Sequence, residues 1–114
     1  DKLVTRNNVR SAKLQLSNQQ LQLDNVKKTL YKEIQQAYYG AVSARDKYKS
    51  SKIAAESSEE AFILEKARYE NGKVTLTEFN EAKNNYLKAS SDLVQAQYDY
   101  IYKVQLLEFY RNGE

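Results

Sequence analysis

The sequence predicts an all-α fold: a long antiparallel helical hairpin, coiled-coil-like, with arms of unequal length. Three observations carry that reading. Proline is absent and glycine occurs only three times in 114 residues, so little interrupts a helix. Apolar residues recur seven apart through most of the chain, the spacing of helix packed on helix. A helix stop at Asn71-Gly72 is followed almost at once by a helix start at Thr75.

The long arm runs from about Asn8 to Glu70. Val9, Leu16, Leu23, Leu30, Ala37 and Ala44 form one sevenfold row, helped by Ala12 and Val26. A second row, Ile34, Ala41, Tyr48, Ala55, Phe62 and Tyr69, then takes over. The step from Leu30 to Ile34 reads as a four-residue phase shift, a stutter in the heptad pattern. On this reading the packing partner of the arm changes between residues 30 and 44.

The tip occupies 71–74. Asn71-Gly72 can end the long arm with glycine in the left-handed conformation, which other residues adopt only with strain. Thr75-Leu76-Thr77-Glu78 has the spacing of a capping box. The Thr75 hydroxyl would cap the new helix while Glu78 reaches back to the Thr75 amide. Val74 and Phe79 are spaced as a hydrophobic staple. Asn-Gly also favours β-hairpins, but the flanks do not alternate with period two.

The short arm, about 75–112, has the clearest pattern. Phe79, Tyr86, Leu93, Tyr100 and Leu107 fall seven apart, and Ala82, Ala89 and Ala96 follow the first three by three residues. Large residues at one seam position and alanine at the other bring two helices close along their length. Gly113 reads as the closing cap, with Arg111 in the last turn.

The arms do not match. About 62 residues make ~90 Å of helix, whereas about 37 make ~55 Å, so the short arm folded back from Gly72 reaches roughly residue 34. Leu14, Leu16, Leu21, Leu23 and Leu30 are then left without a partner in this chain. A third helix is expected to cover them, from elsewhere in the parent protein or from another copy. The isolated chain is therefore expected to self-associate.

Composition narrows the function. The chain has no His, Cys, Met or Trp, which removes the commonest general base, the thiol nucleophile and the usual zinc ligands. We expect no enzyme, no metal site and no cofactor. Ten tyrosines in a chain of mean hydropathy −0.80 are anchors for burial and argue against simple disorder. The net charge of +3 is uneven: residues 1–53 carry eleven Lys and Arg against four acids, and residues 54–81 three against seven. No stretch is apolar for long enough to span a bilayer as a helix. The opening "DKLVTRNN" has neither an initiator Met nor a signal peptide, so the chain is expected to be a piece of a longer protein.

These residues resemble a known family. "ARYENGKVTLTEFNEAKNNYLKASSDLVQAQYDYIYKVQLLEFYRNGE" is similar to the second periplasmic helical hairpin of TolC family outer-membrane efflux proteins. That family has a tyrosine and a glycine at the tip, a hydrophobic-acidic stretch after it, then repeated alanine, leucine and tyrosine steps. "NNVRSAKLQLSNQQLQLDNVKKTLYKEIQQAYYGAV" resembles the long helix that precedes the tip. The resemblance covers nearly the whole chain.

It implies a helical hairpin that contributes to a trimeric α-helical tunnel in the periplasm, below a β-barrel in the outer membrane of a Gram-negative cell. The tip would form the channel entrance and dock on a periplasmic adaptor protein (a membrane fusion protein), and through it on an inner-membrane pump. A separate upper helix would cover residues 10–33. Carried over by position, Gly72 matches the family's tip glycine and Tyr69 the tyrosine before it. The docking tip would be Asn71, Gly72, Lys73, Val74 and Thr75. Glu78 and Glu81 fall where acidic residues narrow the entrance, and with Tyr69 they make the candidate gate. Three apart, they share a helix face, and around a threefold pore they would form an acidic ring favouring cations. Asn71 and Lys73 replace small or apolar neighbours common in the family. Val74 stands where some members carry a basic residue that helps hold the entrance shut, so the resemblance assigns no closing contact to a residue of this chain.

Other readings stay open at this point. Gly72 can be a helix cap alone, Glu78 the capping-box acid alone, Glu81 part of a solvated face, and the tyrosines seam packing. A purely structural or interaction hairpin, such as that of an adaptor protein, is the main alternative, although matched arms would be expected there. A basic hairpin can bind an anionic membrane or nucleic acid. Here the lysines are scattered around the helix and acids interrupt them from Asp24 onward, so no nucleic-acid partner is expected.

Overall fold

The computed structural model describes Asp1–Gly113. It contains two helices, α1 (Lys2–Glu70, 69 residues) and α2 (Leu76–Asn112, 37 residues), joined by a turn at 71–75. No strand occurs among the described residues, so the fold is the all-α hairpin that the sequence predicts. The chain divides into two units, Asp1–Gln36 and Ala37–Glu114.

In the first unit, α1 starts at Lys2, ahead of the expected start near Asn8. Asp1 explains the difference. Its Oδ1 accepts the Leu3 N–H at 3.2 Å, and its carbonyl accepts the Thr5 N–H and the Thr5 hydroxyl, each at 3.0 Å. An aspartate at the N-cap satisfies amides that the first turn leaves unpaired. Beyond it the apolar residues face outward: Leu14 is 60% exposed, Leu21 61% and Leu23 53%.

The second unit is the hairpin. On α1, burial falls on Ala37, Ala41, Ala44, Tyr48, Ser51, Ala55, Ser58 and Phe62, all buried or half-buried. Their spacing alternates four and three, one continuous heptad seam. The expected stutter is therefore absent. Within the hairpin, the row of Ala37 and Ala44 does not give way to the row of Ala41 and Tyr48. It continues beside it through Ser51 and Ser58, and the two rows are the two edges of one seam. Serine at two seam positions breaks the apolar pattern without breaking the geometry.

α2 presents the matching seam. Phe79, Ala82, Tyr86, Ala89, Leu93, Tyr100, Lys103, Leu107 and Tyr110 are half-buried, and Ala96 is buried. Ring contacts fix the antiparallel register. Tyr69 stacks on Phe79 with centroids 4.9 Å apart, Phe62 on Tyr86 at 5.6 Å, and Tyr48 on Tyr100 at 5.9 Å. Phe62 also meets Phe79 at 5.7 Å, so four rings run together beneath the turn. The same register sets Ala55 level with Leu93 and Ala41 level with Leu107. One edge of the seam thus pairs large residues with large ones or with alanine. The other sets Ser51 near Ala96, small against small.

The buried set among the described residues is five alanines: Ala37, Ala41, Ala44, Ala55 and Ala96. No large side chain there is fully buried. A two-helix seam therefore shields only part of each aromatic ring, and most apolar area stays within reach of another surface. Lys103 occupies a seam position, and the Gly40 backbone leaves room for its stem. A Cβ built on Gly40 would lie 3.7 Å from the Lys103 Cδ. The aliphatic stem packs while the ammonium can reach water.

Candidate functional site: the interhelical tip

The turn is built from the ends of both helices. At the end of α1 the Gly72 N–H donates to the Tyr69 carbonyl at 2.9 Å, and the Lys73 N–H donates to the Arg68 carbonyl at 2.8 Å. This pair of bonds is a Schellman motif, and it requires the left-handed glycine: Gly72 has φ of 70°. Asn71 adds a third tie, its Nδ2 donating to the Ala67 carbonyl at 2.8 Å. Arg68 sits in the last turn and binds Glu65 at 3.1 Å.

The start of α2 is closed by the predicted capping box. Thr75 is extended, with φ −78° and ψ 161°. Its Oγ1 accepts the Glu78 N–H at 3.1 Å, and Glu78 Oε2 accepts the Thr75 N–H at 2.9 Å. Val74 and Phe79 are both half-buried at the spacing of the staple. The orphan amides and carbonyls of the two helix ends are thus largely satisfied inside the turn.

The fold brings the eight candidate residues to one end of the hairpin. Asn71, Gly72, Lys73 and Thr75 are exposed and Val74 is half-buried. Nothing lies within 4 Å of a Cβ built on Gly72, so the outer side of the turn is open. The gate candidates separate by surroundings. The Tyr69 ring is committed to Phe79, although it remains 38% exposed. The Glu78 carboxylate is held by the Thr75 amide. Glu81 is exposed and makes no ion pair or side-chain hydrogen bond among the described residues. It lies on a polar, shallow surface with Thr77, Asn80, Asn84 and Asn85.

One concave feature had no motif to announce it. A groove of about 390 Å³ runs beside the small-on-small part of the seam, lined by Lys47, Ser51, Asp92, Gln95, Ala96 and Asp99. It opens where Ser51 stands near Ala96 and neither side chain fills the space. No group of three or more His, Cys, Asp or Glu that could hold a metal occurs among the described residues. No helix there is long and apolar enough to cross a membrane.

Seam, caps and open turn define the class: an all-α helical hairpin with a single capped interhelical tip. The chain belongs to the outer membrane efflux protein family, whose model matches residues 4–112. It is a component of an outer-membrane efflux channel, and the family is one of transport. No curated protein and no solved structure matches the chain.

Proposed function

We propose that this chain is a periplasmic part of the helical tunnel of an outer-membrane efflux channel. In that channel it contributes to a homotrimer, its tip docks on a periplasmic adaptor protein, and the adaptor joins it to an inner-membrane pump. Anchorage in the outer membrane would come from a barrel outside these residues. The observation that carries the reading is the tip. In a member of an efflux family, Asn71–Thr75 form an exposed turn whose shape is held by its own hydrogen bonds. A surface fixed before binding loses little conformational freedom when a partner arrives.

Glu81 is the entrance residue best placed to act on cargo, because its carboxylate is exposed and uncommitted. Glu78 adds charge from a fixed position, and Tyr69 stiffens the wall through Phe79. The exposed row of Leu16, Leu23 and Leu30 calls for a covering helix from the same protein or another copy.

These residues contain no cysteine, so an introduced one is the sole thiol of this segment. Lys73→Cys and, as a reference on the exposed surface of α1, Lys52→Cys are introduced separately into the complete protein in its own cells. Maleimide labelling is compared with and without the adaptor. The docking reading expects labelling at position 73 to slow several-fold when the adaptor is present. Equal labelling with and without it would remove the docking role.

A further inference from the structure

We propose that Asn71–Gly72 is a latent site of spontaneous deamidation, and that the folded tip holds it closed. The proposal stands on the geometry of the turn and does not depend on adaptor docking. Asparagine followed by glycine is chemically exposed, because no side chain shields the glycine nitrogen from the asparagine amide. The Gly72 nitrogen attacks Asn71 Cγ, a new N–Cγ bond forms, the Cγ–Nδ2 bond breaks, and ammonia leaves. Water then opens the succinimide ring at either carbonyl, giving aspartate or isoaspartate. In sum, asparagine and water become an acid and ammonia, with no oxidant or other partner required.

Two contacts oppose the first step in the folded turn. The Gly72 N–H, whose proton must leave, is held by the Tyr69 carbonyl at 2.9 Å. The Asn71 amide is drawn back along α1 by the Ala67 carbonyl at 2.8 Å, away from the nitrogen that follows it. Attack requires both bonds to break and the Schellman turn to open. The modification then reports the opening of the tip, and it makes that opening irreversible. It would add a negative charge next to Glu70, and the isoaspartyl form would lengthen the main chain by one carbon where Gly72 must hold φ of 70°.

The molecule carries its own comparison. Asn112-Gly113 is a second such pair, also with a left-handed glycine, of φ 71°. There the Gly113 N–H is also held, by the Phe109 carbonyl at 2.8 Å, but the asparagine Nδ2 donates at 3.2 Å to the exposed side chain of Glu108 instead of to a main-chain carbonyl. The folded protein should therefore modify Asn112 faster than Asn71, whereas the two should react at similar rates once unfolded.

The experiment incubates the protein at mildly alkaline pH and 37 °C, folded and in concentrated urea. Cleavage after Arg68 and Lys73 releases the peptide 69–73, which contains no other asparagine. Its gain of about one mass unit and its isoaspartate content, read by enzymatic methylation, give the rate. The expected result is modification about tenfold or more slower in the folded protein, since two hydrogen bonds must be surrendered. Thr75→Ala, which loosens the capping box without touching Asn71, should speed the reaction in the folded state and leave the urea rate unchanged. Equal rates for the unaltered protein in the two conditions, or no reaction in urea, would overturn the proposal.

Discussion

At Gly40 the chain gives up helix propensity for space, and the space is only partly used. Glycine inside a helix is about 0.8–1 kcal/mol less favourable than alanine. A Cβ there would meet the Lys103 Cδ at 3.7 Å, an ordinary contact. Gly40→Ala is accordingly expected to stabilise the hairpin by about 0.5–1 kcal/mol, read as a higher urea midpoint at fixed protein concentration. A destabilised variant would mean that Lys103 needs the full gap. Gly72 is the opposite case: it has open space around it, but its φ of 70° is a conformation that side chains disfavour. The residue scale was also where the sequence spoke most clearly. Thr75, Glu78, Gly72 and Gly113 were legible as caps, because capping depends on a few neighbouring residues and the structure forms those bonds. Asp1 was missed as a cap because no apolar periodicity follows it closely enough to mark a helix start.

Among the elements, the seam has a cluster of four rings near the tip and a single ring stack, Tyr48 on Tyr100, farther from it. Phe62 touches both Phe79 and Tyr86, so it links successive turns of α2. Phe62→Ala should cost about 2–3 kcal/mol, less than a fully buried phenylalanine because the ring is only half-covered. Thermal unfolding followed by circular dichroism would check this, and a loss below about 0.5 kcal/mol would show that the ring stack contributes little beyond ordinary surface packing. The heptad of α2 was legible through its large row, Phe79, Tyr86, Leu93, Tyr100 and Leu107, and in its alanine row as far as Ala96, beyond which Lys103 takes the seam position. That of α1 was legible only in halves. Ser51 and Ser58 are polar residues at seam positions, and a pattern read from hydrophobicity registers them as an ending. The groove beside Ser51 was invisible for the same reason: it depends on which residue of α2 stands opposite, and a single helix pattern does not contain that information.

On the scale of the whole molecule, the balance of buried and exposed apolar residues sets the behaviour. Five buried alanines are a small core, while Leu14, Leu16, Leu21 and Leu23 each remain more than half exposed. Hydrophobic burial is worth roughly 25 cal/mol per Å², so covering these two rows, which lie on nearly opposite sides of the helix, is a strong incentive to associate. Leu16→Lys combined with Leu23→Lys is expected to shift the isolated chain toward monomer in sedimentation measurements, while helicity of the hairpin remains. Association unchanged by both charges would place the contact elsewhere, with the outward-facing Leu87, Val94 and Ile101 of α2 the next surface to alter. The partner that covers each row could not be read from the sequence, because unpaired apolar rows specify a need and not an occupant.

The measurement that tests the central claim most directly places a photo-crosslinking residue at Lys73 in the complete protein, in cells with an active pump, and identifies what is captured. The account predicts a crosslink to the helical hairpin of a periplasmic adaptor, through the exposed turn between Asn71 and Thr75. Capture of neighbouring copies alone, or of nothing, would contradict it and leave the turn as a reversal between two helices.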